Sequence, residues 1–401
     1  MTHTDPATLV RSPGGSQRAT LLELFFDLVY VAALALTSMN LSQNISWTGA
    51  IHFLLPLMAL WWVWSITTLV TDFYNPDRLP IQGLIIGVMF GSILMAATLP
   101  AAFGEHGMIF AATYVAIHIG RGIYLLALLR HHLAGKRAAR FFFWFTVSAI
   151  PWIVGAFMQG TLARGALWGA ALLVDYVVAG FRYPTPWLGR VPLDQYDKAQ
   201  EHVGERYQQF MILAFGDLIL VAALRYNRTG LGAWHTVAFV ATFATTVLLW
   251  QIYVYRAGSL LRNVPKGKPG RIVRWAPYTH FIMIAGIVAS AAGSELAIIR
   301  PVGTHIPPGW IVALFGGPVL FLIGRTTFEY EVFDRFSWSR LAWLAVLIAV
   351  SPAMVLVRPA IAVVVVAAIL LGVAVSDALR GRVHAPDPSG GHQHAVRRPG
   401  R

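Results

Sequence analysis

Long apolar segments alternate with short polar connections along the whole chain. Twelve segments have about the 20 residues that a helix needs to cross a hydrocarbon core of roughly 30 Å. They cover residues 20–40, 51–71, 81–102, 107–129, 140–160, 163–181, 208–225, 232–255, 278–299, 308–328, 340–357 and 359–379. The alternating pattern of barrel strands does not occur, and open sheets cannot satisfy their backbone in lipid. The pattern therefore predicts an all-α integral membrane protein of about twelve transmembrane helices.

Composition agrees with this class and excludes several others. Hydrophobic residues make up 57% of the 401 positions, charged residues 12%, and mean hydropathy is +0.61. So apolar a chain must turn part of its surface to lipid. It contains no cysteine, which excludes disulfides, thiolate metal sites and a cysteine nucleophile. Nucleotide-binding, zinc-protease and serine-hydrolase signatures are missing. We therefore expect neither an enzyme nor a cofactor or metal site.

The distribution of basic residues predicts the orientation in the membrane. The net charge of +13 would suit nucleic acid, but the basic residues lie mainly in the short connections, where they act as topology signals. With a cytoplasmic N-terminus, 24 Lys and Arg residues fall on the cytoplasmic side and 5 on the other. We therefore expect an inner-membrane protein with both termini in the cytoplasm and no nucleic-acid partner.

The second half of the chain repeats landmarks of the first half. FFDLVYVAAL aligns with FGDLILVAAL, which places Asp27 on Asp217. The tripeptide IGR occurs twice and places Arg121 on Arg325. Two further matches occur in the same order, Arg140 with Arg340 and Asp175 with Asp377. We therefore predict two six-helix repeats in the same orientation, related by a pseudo-twofold axis along the membrane normal.

These landmarks divide the chain into five regions. They are a disordered cytoplasmic N-terminus at 1–19, a first six-helix repeat at 20–181, a cytoplasmic linker and helix at 182–207, a second six-helix repeat at 208–379 and a disordered cytoplasmic tail at 380–401. The basic connection 256–277 suits anionic lipid headgroups, although a topology anchor is the simpler interpretation.

Carboxylates inside the predicted spans are the first functional candidates, because unpaired charges are costly in lipid. Glu23 and Asp27 lie four residues apart and so share one face of the first span. Asp217 lies in the middle of the seventh span. In one interpretation, Asp27 and Asp217 face each other near the pseudo-axis and steer a cation or proton. In the other, an arginine neutralises each aspartate and locks the helix packing.

Arginines inside or beside the spans are the candidate partners. Arg121 has no acidic neighbour in its own span, so we expect it to reach Asp27 or Asp175 on another helix. Arg325 has Glu329 one turn away, which allows a local ion pair.

The stretch QEHVGERY before the seventh span groups further charges. It contains Glu201, His202, Glu205 and Arg206. A metal site on these loosely spaced ligands is the weaker interpretation, and we expect a charged helix end instead. Glu295, near the outer end of the ninth span, is expected to face interfacial water.

Two stretches resemble signatures of the bacterial low temperature requirement protein A (LtrA) family. RATLLELFFDLVYVAAL resembles the opening signature, and EHVGERYQQFMILAFGDLILV resembles the second. His202, Glu205 and Arg206 fall on the charged motif of the second signature. Asp77 and Arg78, after the Trp-rich second span, also fit. One departure is Asp217, where the family often has glutamate. The resemblance extends over nearly the whole chain, and the family name describes a phenotype and no activity.

FFD and FGD are also similar to the FSD motif of potassium channels of endolysosomes and bacteria, although both copies here lack the serine. In those channels the helices with the motif line a pore on the axis. The similarity implies permeation or transport of a monovalent cation or proton between the repeats.

One alternative is a lipid or apolar-solute transporter or scramblase with structural carboxylates. Another is a non-transporting stress or interaction protein. Membrane lipids and a homo-oligomer complete the expected partners.

Overall fold

The computed structural model describes residues 6–11, 18–43, 45–254, 270–302 and 306–383. Twelve helices within these ranges are long and apolar enough to cross a membrane, so the protein is a multi-pass membrane protein, as its hydropathy predicts. The helices are α1 Leu21–Gln43, α2 Trp47–Phe73, α3 Leu79–Thr98, α4 Gly107–Leu128, α5 Gly135–Phe157, α6 Thr161–Gly180, α7 Leu193–Tyr226, α8 Ala233–Val254, α9 Arg271–Ile299, α10 Pro308–Phe333, α11 Trp338–Val350 and α12 Pro359–Val383.

Local sequence explains several helix ends. The Ser46 side chain accepts a hydrogen bond from the backbone N–H of Gly49 and so caps the start of α2. Pro308 opens α10, where a missing N–H costs nothing. Short 3-10 turns extend α3 and α11 at Leu99–Ala101 and Ser351–Leu356, each with a proline in its first turn. The linker predicted at 182–207 runs into α7, which is one continuous helix of 34 residues.

Helix neighbours follow the same order in the two halves. In the first half, α1 contacts α2 and α3, consecutive helices from α3 to α6 contact one another, and α6 returns to α2. In the second half, α7 contacts α8 and α9, consecutive helices from α9 to α12 contact one another, and α12 returns to α8. A duplicated six-helix unit would give this pattern of neighbours.

The interface between the halves is not symmetric. α7 packs against α1 and α2, and α9 packs against α1, α2 and α6. A twofold axis would also bring α1 against α8 and α3 against α7, but these pairs make no comparable contact between described residues. The predicted pseudo-twofold interface is therefore wrong in this respect. The reason is the central position of α9, which is buried over nearly its whole membrane length.

Glycines allow α9 to pack closely on α10. A Cβ on Gly286 would lie 2.6 Å from the carbonyl oxygen of Gly317, and one on Gly293 would lie 2.6 Å from the Cα of Leu314. The backbones of α9 and α10 therefore meet directly, as small residues allow in membrane helix pairs.

The N-terminal region that the sequence predicts to be disordered is ordered at residues 6–11. Pro6–Leu9 forms one helical turn, and Leu9 is buried. The backbone N–H of Asn75 donates to the Leu9 carbonyl, and that of Arg11 donates to the Phe73 carbonyl. The end of α2 leaves backbone groups that need partners, and this segment supplies them.

Other predictions about the connections fall largely outside the described residues. Residues 255–269 of the basic connection and residues 384–401 of the tail are among those not described. α12 continues to Val383, beyond the predicted boundary at 379.

Candidate functional site

Asp27 and Arg206 form a buried ion pair between the two halves. Arg206 on α7 donates from Nη1 to Oδ2 of Asp27 at 2.9 Å and from Nη2 to Oδ1 at 2.7 Å. Trp64 of α2 donates from Nε1 to the same Oδ1 at 2.7 Å. All three side chains are fully buried. Asp27 is thus neutralised by an arginine in a two-point contact, as the structural interpretation predicts.

A second buried cluster lies one turn closer to the N-terminal end of α1. His202 Nε2 lies 3.1 Å from Glu23 Oε1, and His202 Nδ1 lies 3.4 Å from Asp72 Oδ1. The backbone N–H and the hydroxyl of Thr20 donate to Glu23 Oε2 at 2.8 and 3.0 Å. An imidazole between two carboxylates is a group that can take up and release a proton.

The two clusters arise from matching helix periodicities. Glu23 and Asp27 are one turn apart on α1, and His202 and Arg206 are one turn apart on α7. α1 and α7 run side by side, so the acidic face of one meets the basic face of the other at two successive turns.

A buried layer of aromatic side chains follows this charged region. Trp61 and Trp64 stack with ring centroids 4.8 Å apart, and Phe210 lies 5.2 and 4.4 Å from them. Tyr30 lies edge-on to Phe210 at 5.9 Å. We call Tyr30, Trp61, Trp64 and Phe210 the aromatic layer. It separates the charged region from the middle of α7.

Asp217 lies beyond the aromatic layer and has no such partner. Its side chain is 0% exposed, and neither carboxylate oxygen has a hydrogen-bond partner in the part of the chain that the structure describes. It follows Arg206 by eleven residues on α7, about 16 Å along the axis. Asp27 and Asp217 therefore do not face each other in the way that the first of the two interpretations required. Pairing of Asp27 with Arg206 sets the register of α1 and α7 and leaves Asp217 about level with Ser38.

A third polar cluster surrounds Glu295 towards the opposite end of α7. Arg225 Nη2 lies 2.5 Å from Glu295 Oε1, and the Ser42 hydroxyl donates to the same oxygen at 3.0 Å. Glu295 is 2% exposed. The expectation that Glu295 faces interfacial water is therefore wrong, because α9 lies at the centre of the helix bundle.

The three clusters and Asp217 form a row along α7. His202 and Arg225 are 23 residues apart, about 35 Å along the helix, which is close to the thickness of a hydrocarbon core. Titratable groups thus lie near both ends of the membrane-spanning part and in its middle.

Arg121 does not reach Asp27 or Asp175, contrary to the prediction. Its Nη2 lies 2.5 Å from Nδ1 of His118, and its Nη1 donates to the Thr67 hydroxyl at 3.3 Å. Asp27 is taken by Arg206, and Asp175 accepts a hydrogen bond from the Tyr114 hydroxyl at 2.7 Å. Both predicted carboxylates therefore already have other partners.

The corresponding part of the second half is a closed ion network. Arg325 Nη1 lies 3.5 Å from Glu329, which is the local pair that the sequence predicts. Arg340 contacts the same carboxylate and also Asp377, at 2.8 Å. Arg380 completes the network on Asp377 at 3.0 Å.

The remaining predicted residues have local roles. Glu205 accepts a hydrogen bond from the Gln209 side chain at 3.1 Å and is half-buried. His202 contacts Glu23 and Asp72 instead of Glu201 and Glu205. No group of three or more possible metal ligands occurs among the described residues.

The sequence did not predict that Trp64, Asp72 and the contact between Arg225 and Glu295 belong to the site. The only signal for these side chains was their position inside or at the end of an apolar span. The matched i and i+4 spacing on the first span and on the stretch before the seventh span could have predicted both clusters at the N-terminal end of α1.

Comparisons with known proteins identify the family. The family model described as bacterial low temperature requirement A protein (LtrA) matches residues 18–375. A relative from Rhizobium meliloti (strain 1021), uncharacterized protein RA0937, is 35% identical over 321 residues, which are 77% of this chain and 76% of the relative. No solved structure matches. The chain belongs to the LtrA family.

Proposed function

We propose that this member of the LtrA family carries protons across the membrane and that Asp217 is the residue that binds them. The observation behind the proposal is the burial of Asp217 inside a membrane helix with both carboxylate oxygens unpartnered among the described residues. An ionised carboxylate in that position is costly, so it holds a proton or binds a cation.

The surroundings of Asp217 favour a proton over a metal cation. A metal cation bound by oxygen needs several ligand atoms at short range. No described side chain or backbone group makes a hydrogen bond to either Asp217 oxygen. A single carboxyl group without a surrounding cage suits a proton, which needs only one acceptor atom.

Polar groups on both sides of Asp217 provide places for a proton to arrive and leave. Towards one end lie Glu295 and Ser42. A depression of about 280 Å³ at that end is lined in part by Asn40, Ser46 and His52. Asn40 is two residues from Ser42 on α1, so water in the depression comes near the Glu295 cluster.

Towards the other end, the aromatic layer separates Asp217 from His202 and Glu23. Two cavities of about 30 and 10 Å³ are both lined in part by Tyr207, which contacts Trp61 and Trp64. Cavities of this size hold about one or two waters. The aromatic layer lies between Asp217 and the His202 cluster, so we propose that the layer is the barrier of the transport cycle.

Asp27 has a structural role in this proposal. Its charge is held by Arg206 and Trp64, so it holds α1 against α7 and α2. Glu23 and His202 are the proton-accepting pair nearest the N-terminal side. The excess of basic residues on that side supports a cytoplasmic location for both termini.

Proton flux into liposomes tests the proposal. Purified protein is reconstituted with a trapped pH indicator, and a potassium diffusion potential set by valinomycin drives protons inward. We expect flux with the unmodified protein and the rate of protein-free liposomes with Asp217→Asn. Glu205→Gln, a half-buried site on the same helix, is the matched control and should retain the flux.

The same liposomes separate the alternatives. Sodium or potassium flux without proton flux would support cation permeation instead. Exchange of a labelled phospholipid between leaflets, unaffected by Asp217→Asn, would support the lipid transporter. Absence of every flux from protein that remains monodisperse would overturn the proposal and support an interaction role.

A further inference from the structure

An open groove between α3 and α4 lies apart from the row along α7. Its volume is about 910 Å³, which falls within the range of small-molecule pockets. Its lining is mainly apolar and includes Leu84, Phe90, Ile109 and Ile117. Phe90 is 72% exposed, so the groove opens to the surface that faces lipid.

The corresponding interface in the second half is closed. The repeated tripeptide IGR places Gly120 on Gly324. A Cβ on Gly324 would lie 2.7 Å from the carbonyl oxygen of Thr279, because α10 packs directly on α9. A Cβ on Gly120 would meet nothing within 4 Å, and the same holds for Gly83 and Gly87. The open space between α3 and α4 is therefore particular to the first half.

Arg121 is also among the residues that line this groove. The side chain is only 4% exposed, and its guanidinium contacts the His118 ring and the Thr67 hydroxyl. It forms no ion pair with a carboxylate in the part of the chain that the structure describes. Its guanidinium keeps its charge, and a buried charge is stabilised by a counter-ion.

In the second half of the chain, the matching arginine has a carboxylate partner on its own helix, and the first half lacks that carboxylate. Arg325 contacts Glu329, four residues further along α10. The residue four positions after Arg121 is Leu125, which is buried and apolar. The groove therefore combines an apolar lining with an arginine, Arg121, whose matching residue in the other half, Arg325, is paired with a carboxylate.

We infer that the groove binds a single-chain anionic amphiphile, a long-chain fatty acid, with its tail along α3 and α4 and its carboxylate on Arg121. From Met108 to Tyr124, the lining of α4 extends about 24 Å along the helix axis, which suits an extended acyl chain. A carboxylate forms charge-assisted hydrogen bonds with a guanidinium, which an apolar helix of a second copy could not supply.

A photoreactive fatty acid tests this inference. The probe is palmitic acid with a diazirine in the middle of its chain, and the comparison probe is the corresponding primary alcohol. Each is irradiated with the purified full-length protein, and the labelled peptides are located by mass spectrometry. We expect the acid to label peptides of α3 and α4 and the alcohol to label them about tenfold less, because it lacks the charged contact.

Variants separate the charge from the shape of the groove. Arg121→Gln should reduce labelling by the acid about tenfold and leave labelling by the alcohol unchanged. Because this variant also removes contacts with His118 and Thr67, Gly87→Trp gives a second test by filling the groove, and it should abolish labelling by both probes. Ile150→Trp, on the lipid-facing surface of α5 where Ile150 is 64% exposed, is the matched control and should change neither.

Three results would overturn the inference. They are labelling spread evenly over all lipid-facing helices, equal labelling by acid and alcohol in the unmodified protein, and crosslinks to a second copy at α3 and α4. The inference does not depend on proton transport. Asp217→Asn should retain the labelling, so failure of either proposal can be recognised separately.

Discussion

Arg206 binds both carboxylate oxygens of Asp27, 179 residues earlier in the chain, and so connects the two halves of the protein through a buried ion pair. Asp217 occupies the matching place in the second half of the sequence, yet it lacks a described hydrogen-bond partner. Two aspartates that align in sequence thus have different surroundings. One holds helices together, and the other is the proton-binding residue of our proposal.

Breaking the Asp27 and Arg206 pair should destabilise the protein strongly. Arg206→Gln leaves Asp27 buried without its counter-charge, and we expect a loss of about 3–5 kcal/mol. The double variant Asp27→Asn with Arg206→Gln removes both charges and should recover part of that loss. Thermal unfolding in detergent measures each variant, with Glu205→Gln as the control. Equal stability of Arg206→Gln and the unmodified protein would contradict the structural role.

Asp217→Leu should raise stability while it abolishes proton flux. The substitution replaces an unpartnered buried polar group by an apolar side chain of similar size, and we expect a gain of about 1–3 kcal/mol. Thermal unfolding and liposome flux are measured on the same preparation. A large loss of stability would indicate that Asp217 has a structural partner and would weaken its assignment as the proton carrier.

The two IGR glycines offer a matched pair of substitutions. Gly324→Ala places a Cβ 2.7 Å from the Thr279 carbonyl oxygen and should cost about 1–3 kcal/mol through overpacking. Gly120→Ala meets open space and should gain about 0.5–1 kcal/mol, because alanine favours the helix. Melting temperatures should move in opposite directions. Similar changes in the two variants would mean that α3 and α4 are as closely packed as α9 and α10.

Phe210→Ala should increase proton flux, because it opens the aromatic layer between Asp217 and the His202 cluster. Phe210 contacts Trp61, Trp64 and Tyr30, so its removal leaves space for water. Phe243→Ala on α8, where the ring is 50% exposed, is the control. Unchanged or reduced flux in Phe210→Ala would show that the layer is not the barrier.

The absence of cysteine allows a direct test of orientation. Cysteines introduced at Trp187 and Glu105 lie on connections that are predicted to face opposite sides, and the two side chains are 100% and 83% exposed. We expect a membrane-impermeant maleimide to label Glu105→Cys in spheroplasts and to label Trp187→Cys only after permeabilisation. The reverse result would place the termini outside the cytoplasm.

Several predictions from sequence are confirmed by the structure. Helix positions followed from hydropathy because a span of about 20 apolar residues is a local property. The contact between Arg325 and Glu329 followed from their spacing on one helix. Partners on other helices were harder to predict. Arg121 was expected to reach a carboxylate and instead contacts His118 and Thr67.

Sequence alone determined the membrane class, the number of spans and the family, because these depend on composition, on segment length and on two signature stretches. Tertiary structure decided which charges meet. Arg206 is paired with Asp27, and Asp217 is left without a described partner, only because α1 and α7 lie side by side in one particular register. The central helix α9 packs against both α1 and α7, and its glycines let it approach α10 closely. A repeat in the sequence could align Asp27 with Asp217, but only packing could give them different surroundings.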